Sequence, residues 1–374
     1  MGAHPGPRVA GADLASEYFA QLLDRFEQAS AAIGGAGNLE LEMAGLRVRL
    51  RPAGGSLRAG LLAPFEHLAC QGAGDPDLTI SLFDTASTGI EPPAPLWEPI
   101  AAAPGTNPVA RLRSERACVL AAAGSRGLTA ALPAEGIAVF HIPDAAAIPT
   151  SERAAPIREA LQLLMAARGR LMTHAGAVGR AGRGVLLVGR GGSGKSTLAL
   201  SCALAGMEIV ADDYVLLEPD SLTAHAMQST AKLTEDSATR LGIPAGAIDA
   251  AGFEPTLKGP AKALVDIRKL APTTLKRQLE VGTIVVPRLR PHATANIAVA
   301  CGLGEAGSAV RSISAAEGLR AVAPSTIVQA GFGGGASLAA LADLVRRVPG
   351  YSLELSPDPA ANAAAVDRLV AELD

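Results

Sequence analysis

Gly189-Arg190-Gly191-Gly192-Ser193-Gly194-Lys195-Ser196 reads G-x-x-x-x-G-K-[ST], a spacing whose chemistry is the cradling of phosphates. Glycines let the backbone curl until successive N–H groups face one anion. A helix starting at the lysine adds the positive end of its dipole. Lys195 would reach the β- and γ-phosphates and the Ser196 hydroxyl would ligate Mg²⁺. Gly189, Gly191, Gly192, Ser193, Gly194, Lys195, Ser196 and Thr197 are thus the candidate nucleotide-binding residues. The plain alternative is a glycine-rich turn without a ligand. Downstream, Asp212 and Asp213 are adjacent carboxylates; near a phosphate loop one can contact the metal while the other accepts a proton from an attacking hydroxyl, with coupled proton affinities. Their plain alternative is an exposed acidic turn. His174 precedes the loop in an apolar stretch, where a histidine is either a hydrogen-bonded core residue or a proton-handling group.

These residues need elements to carry them. Gly184 to Val188 is a continuous apolar run, as in a strand buried on both faces. Thr197 to Ala205 suits a helix, closed by Gly206 at the cap position. Met207 to Ala211 reads as a second strand. In a β-α-β unit both strands run the same way, so Asp212 and Asp213 emerge on the edge that holds the loop. Leu171 to Val178 reads as one further strand, joined to the loop strand by a turn over Gly179 to Gly184, which would place His174 beside it.

Around this unit the chain divides near residue 150. The segment 1–150 reads as a β-rich domain: a hairpin over Leu39 to Arg51, a short helix over Leu61 to Cys70, a strand over Leu78 to Phe83, a Pro-rich loop over Thr88 to Thr106, and strands in Cys118 to Ala122 and Leu128 to Ile142. Beyond Pro149 a helix over Ala155 to Gly169 opens an α/β domain, 151–374. Its last third contains strands at Val281 to Pro287, Asn296 to Cys301 and Tyr351 to Leu355, and helices at Ser314 to Val322, Leu338 to Val348 and Ala360 to Leu373. Gly331 to Gly335 is glycine-rich but lacks the strand-then-helix order of a phosphate loop.

Composition limits the functions open to such a chain. Its 374 residues are 49% hydrophobic, enough for a sizeable core, and the 41 Gly and 26 Pro stay below the ~25–30% of low-complexity chains. A net charge of −3 and 3% aromatics speak against nucleic-acid binding. No run approaches the ~20 apolar residues of a membrane span, and Met1 to Glu17 has no secretory h-region. Cys70, Cys118, Cys202 and Cys301 are scattered, as expected of reduced thiols in a cytoplasmic protein.

The ordered set His174-Ala175-Gly176-Ala177-Val178, Gly184 to Gly189, Gly192 to Thr197 and Val210-Ala211-Asp212-Asp213-Tyr214-Val215 resembles the catalytic domain of HPr kinase/phosphorylase, over about residues 171–218. That family phosphorylates a serine of a small carrier protein, and its fold is related to ATP-dependent phosphoenolpyruvate carboxykinase. The resemblance implies an α/β C-terminal P-loop kinase domain of that type, behind a β-rich α+β N-terminal domain. The layout is also similar to HPr-kinase-like proteins of peptide-modification pathways, including lasso-peptide pathways, some of which phosphorylate a serine of the precursor peptide. Thr230 to Leu233, Ala323 to Thr326 and Val348 to Leu353 suit that subgroup. The resemblance implies ATP and Mg²⁺ as cofactors, Asp213 as base, Asp212 with Ser196 at the metal (the two aspartates being interchangeable), His174 at the acceptor site, and Lys232 as a phosphate or substrate contact. The Glu-Ile-Arg-Gly-Leu-Gly signature of the carrier-protein kinases is not found; Ile267-Arg268-Lys269-Leu270 is a distant echo.

Three functions stand against each other. A serine kinase acting on a peptide or small protein, alone or as a homo-oligomer, would use Lys195 and Asp213 directly and the first half to hold the polypeptide by strand addition. A small-molecule kinase of adenylylsulfate-kinase type would carry an Asp-Gly-Asp and leave the first half without a role. A non-catalytic nucleotide switch would keep Lys195 and need no base. No Leu-Ser-Gly-Gly of an ABC ATPase and no Asn-Lys-x-Asp guanine reader is present.

Overall fold

The computed structural model describes residues 13–72, 74–98, 109–122, 126–256, 259–289, 309–330 and 334–373. The predicted strand at Asn296 to Cys301, most of the Gly331 to Gly335 stretch and the end of the Pro-rich loop lie outside them. The fold is a mixed α/β arrangement of two large sheets and a small one.

The first sheet is built by period-two alternation. Helix α1 (Leu14–Ala32) precedes strands β1 (Leu39–Met43), β2 (Leu46–Ala53), β3 (Leu78–Asp84), β4 (Val109–Arg113), β5 (Cys118–Ala122), β6 (Leu128–Leu132) and β7 (Ile137–Ile142). Their order is β1-β2-β3-β7-β6-β5-β4. The β1–β2 turn is Ala44-Gly45 with φ of 52° and 74°, the positive pair that matches strand twist in a two-residue hairpin. Both faces of the sheet are covered. Phe83, Val119, Ala130 and Val139 pack against Tyr18, Phe19, Leu22 and Phe26 of α1. Their sequence neighbours Leu82, Leu120, Ala131 and Phe140 face the opposite way, into a core shared with the second half of the chain.

The strand-rich reading of the first half passes over α1. Its signal is present: Asp13 accepts from Ser16 N at 3.0 Å as a cap, and the buried residues Tyr18, Leu22, Phe26 and Ala29 recur at helical spacing. The helix expected over Leu61 to Cys70 is instead a π turn (Arg58–Leu62) followed by a 3-10 segment (Ala63–Leu68), because Pro64 lacks the N–H that an α-helix needs.

Helix α2 (Arg158–Ala166) bridges the two sheets. It starts later than predicted, since Ile157 adopts φ 48°. Then follow β8 (Leu171–Thr173), β9 (Gly176–Arg180), β10 (Arg183–Leu187), α3 (Lys195–Leu204), β11 (Glu208–Ala211), β12 (Val215–Glu218), β13 (Thr223–His225), β14 (Thr230–Thr234), β15 (Lys262–Asp266), β16 (Gln278–Leu289) and β17 (Ala309–Ile313). The chain closes with α4 (Ala315–Ala330), α5 (Gly334–Arg347), β18 (Gly350–Leu355) and α6 (Pro359–Ala371). The second sheet runs β11-β9-β10-β16-β13-β12-β8, with β18 on β16 and β17 on β18, while β14 and β15 pair separately. β10, β16 and β18 are parallel. Helices α3 and α6 pack together on one face of this sheet through Leu198, Cys202, Val366 and Leu369. The helix predicted at Ser314 to Val322 continues through Pro324 to Ala330.

The turn before β10 is shorter than expected. Gly179 and Arg180 belong to β9, Arg183 and Gly184 to β10, leaving Ala181-Gly182 as the turn. Gly179 and Gly184 are cross-strand partners. A Cβ on either would lie 2.2 or 2.1 Å from the opposite carbonyl oxygen, so these glycines permit close backbone approach rather than a wide turn. Among the described residues Cys70, Cys118 and Cys202 are free, and burial raises the thiol pKa of Cys118 and Cys202. No described helix is long and apolar enough to cross a membrane.

Candidate functional site

The site lies where a two-stranded ribbon opens. The stretch predicted as one strand over Leu171 to Val178 is broken at His174-Ala175. On one side of the break Thr173 pairs with Val215 in the β8–β12 ladder. On the other, Ala177 pairs with Ala211 in the β9–β11 ladder. Residues 174–176 therefore face 212–214 in unchanged register, with the ladder open between them. β10 and β11 are both antiparallel to β9, hence parallel to each other with β9 between. Their carboxyl ends share one edge, which brings the 189–194 loop and the Asp212-Asp213 pair together.

The loop has the conformation its glycines allow. Gly189, Gly192 and Gly194 have φ of 142°, 80° and 96°, in the range that favours glycine. The amino end of α3 has no side-chain cap, leaving its first N–H groups for another acceptor. The Ser193 Oγ is buried without a partner. Lys195 is buried, and its Nζ donates to the carbonyls of Gly189 at 2.7 Å and Arg190 at 3.3 Å. Burial lowers its pKa, opposed by Asp212 and Asp213. Thr197 Oγ1 donates to Ser237 Oγ at 3.1 Å.

The two carboxylates differ. Asp212 is fully buried, with Oδ1 unpartnered and Oδ2 3.5 Å from the Lys232 amide. Burial, then the neighbouring Asp213 charge, pushes it up to about 6, while a hydrogen bond with Ser196 and the Lys195 ammonium pull the other way. Asp213 has φ 75°, a left-handed backbone that Asp tolerates better than most residues. Its Oδ2 is 2.7 Å from Lys232 Nζ and its Oδ1 3.6 Å from His174 Nε2. Burial would raise it, but Lys232, then His174, hold it well below the usual carboxylate range. Burial pulls the Lys232 ammonium down, and Asp213 more than restores it.

The structure thus brings His174, Lys195, Ser196, Asp212, Asp213 and Lys232 to one place. Three further residues belong to it that the sequence alone did not single out for chemistry. Thr326 Oγ1, on α4, accepts from the His174 amide at 3.2 Å. Tyr214 stands edge-on to the His174 ring, centroids 5.3 Å apart. Arg158 donates to the Tyr214 hydroxyl at 3.2 Å. A charged pair, Arg158-Glu159, opening a mostly apolar helix was the available signal for the last.

Ser196 and Asp212 suit Mg²⁺. An unpartnered carboxylate oxygen beside a hydroxyl is a hard-oxygen donor set. Among the described residues no group of three or more His, Cys, Asp or Glu side chains could hold a metal, so the remaining ligands would be water and phosphate oxygens, as is usual for this ion.

No family model matches the chain, and no curated protein matches it. Among solved structures, an Hpr(Ser) kinase/phosphatase from Coxiella burnetii is similar over 54% of this chain and 92% of its own, at 16% identity and a TM-score of 0.28.

Proposed function

We propose that this chain is an ATP- and Mg²⁺-dependent kinase of the HPr-kinase-like class, transferring the γ-phosphate to a serine hydroxyl of a peptide or small protein, with a lasso-type precursor peptide as the best candidate acceptor. The observation that carries the reading is the convergence on one sheet edge of a glycine loop with Lys195, the buried Asp212 with its unpartnered Oδ1, and the Asp213–His174 approach.

In the proposed reaction the loop N–H groups and the α3 amino end hold the triphosphate. Lys195 exchanges its two loop carbonyls for phosphate oxygens and neutralises the charge that develops on them. Ser196 and Asp212 would hold Mg²⁺, which when bound would supply charge neutralisation to the phosphates. The acceptor hydroxyl oxygen bonds to the γ-phosphorus as the bond to the β–γ bridging oxygen breaks. Its proton passes to Asp213, and ADP departs. His174 orients the acceptor beside Asp213, and Lys232 contacts the transferred group. A polypeptide acceptor also gives the first sheet a role. Among the described residues β4 is paired on one side only, a ready edge for an added strand.

The test is incubation with Mg-ATP and the short peptides encoded by neighbouring genes, read by intact mass. A peptide that gains one phosphate, and does not with Lys195→Ala, supports the reading. Full transfer by Lys195→Ala overturns it.

A further inference from the structure

His174 is held from two directions. Thr326 accepts from its backbone amide, and Tyr214 packs edge-on against its ring at 74° between planes. The ladder is open at these residues, so side chains rather than strand pairing fix the imidazole. Tyr214 is itself clamped at tip and face. Arg158 Nη1 donates to its hydroxyl at 3.2 Å, and the guanidinium carbon sits 5.7 Å from its ring centroid, within cation–π reach. The other arm of Arg158 is tied to Glu159 at 2.6 Å, on the first turn of α2. The Arg158 Nε is buried without a partner.

We propose that Tyr214 and Arg158 are positioning residues: together they set the orientation of the His174 imidazole beside Asp213. This rests on the phosphoryl-transfer reading for its consequence, though not for its geometry. Simple packing would be served by Phe and Leu here. Placing a guanidinium in a largely buried spot carries a desolvation cost, and what it gives in return is a tyrosine ring with a fixed tip and a fixed face. A ring so fixed restricts its edge-on neighbour, and a small misplacement near the reacting atoms is expensive in rate.

The test uses the full chain with Tyr214→Phe, which keeps the ring and loses the hydroxyl, with Arg158→Met, which removes the charge, and with Arg158→Lys. Two readouts are taken. The first is the His174 side-chain NMR signal without substrate; the second is kcat and KM for Mg-ATP. We expect the His174 signal to shift or broaden in Tyr214→Phe and Arg158→Met, with kcat down about ten- to a hundredfold. KM for Mg-ATP stays within about twofold, because the phosphate cradle is untouched. Arg158→Lys falls between. An unmoved His174 signal, or an unmoved kcat in folded Tyr214→Phe, overturns the assignment. Should the wild type transfer no phosphate to any acceptor, the kinase reading fails, and the NMR arm alone still decides whether the clamp orients His174.

Discussion

Asp212 and Asp213 share a peptide bond but not an environment. One is enclosed and faces Ser196; the other is met by a lysine and a histidine. The Asp213–Lys232 pair, at 2.7 Å with side chains 12% and 25% exposed, lies between the surface regime, where a pair contributes little, and the buried regime, where losing one partner strands a charge. Lys232→Met leaves Asp213 beside a second carboxylate with its main cation gone, so it should destabilise the fold by about 3 kcal/mol. Asp213→Asn alone should cost less, since Lys232 still senses Asp212. The double variant should recover most of the Lys232→Met loss. Urea denaturation of the four proteins measures this as a double-mutant cycle. Additive losses would show that the pair is not coupled.

At the scale of elements, the loop and helix around the phosphate motif were legible because their rules are local: an apolar run, glycines where φ must be positive, and a helix-forming segment after the lysine. The β1–β2 hairpin followed from alternation in the same way. The break at His174 was not legible. It exists because 171–173 pairs with 215–217 while 176–180 pairs with 183–187 and 208–211, a non-local choice that no window of sequence contains. Local rules also make a sharp prediction for the loop. Gly194 has φ 96°, and a Cβ there would lie 2.5 Å from Leu355 Cδ1. Gly194→Ala should therefore cost about 1–2 kcal/mol of backbone strain and displace Leu355. Mg-ATP binding by calorimetry should weaken about tenfold as the loop N–H groups lose alignment. Adding Leu355→Ala relieves the contact but not the φ, so affinity should return only in part. At Gly191, where a Cβ meets open space, Gly191→Ala should leave the melting temperature unchanged. Equal melting shifts for the two alanines would contradict this account.

Across the whole molecule, residue 150 separates the two large sheets in sequence, yet one core runs through both, from Leu41 and Phe65 to Met172, Tyr214 and Leu344. Two histidines sit in the packed part of the first half, His141 buried and His67 half-buried. His67, on the segment facing Arg268 and Arg277, is lowered to about 4 by burial, with those arginines adding to it. His141, tilted against the Phe83 ring and paired with Thr85, is lowered to about 4 by burial and Arg126. Both are neutral in the fold at pH values where the unfolded chain, with histidine near 6.5, binds protons. Between about pH 6.5 and 4 the unfolded state holds more protons, so stability falls as pH drops. At about 1.4 kcal/mol per unit, each histidine accounts for up to roughly 3 kcal/mol across that window. Asp212 works in the opposite sense. Its raised pKa of about 6 means the fold takes up a proton before the unfolded chain does, which offsets part of the loss below pH 6. The paired carboxylates, with lowered pKa values, add their own losses only nearer pH 4 and below. Unfolding free energies measured by urea from pH 7.5 to 4 should therefore decline, with a net slope smaller than His67, His141 and the likewise lowered His225 alone would give. In a His67→Gln, His141→Gln variant the decline should become shallower, with His225, lowered by burial, left against Asp212. A variant retaining the wild-type slope would place the protons elsewhere.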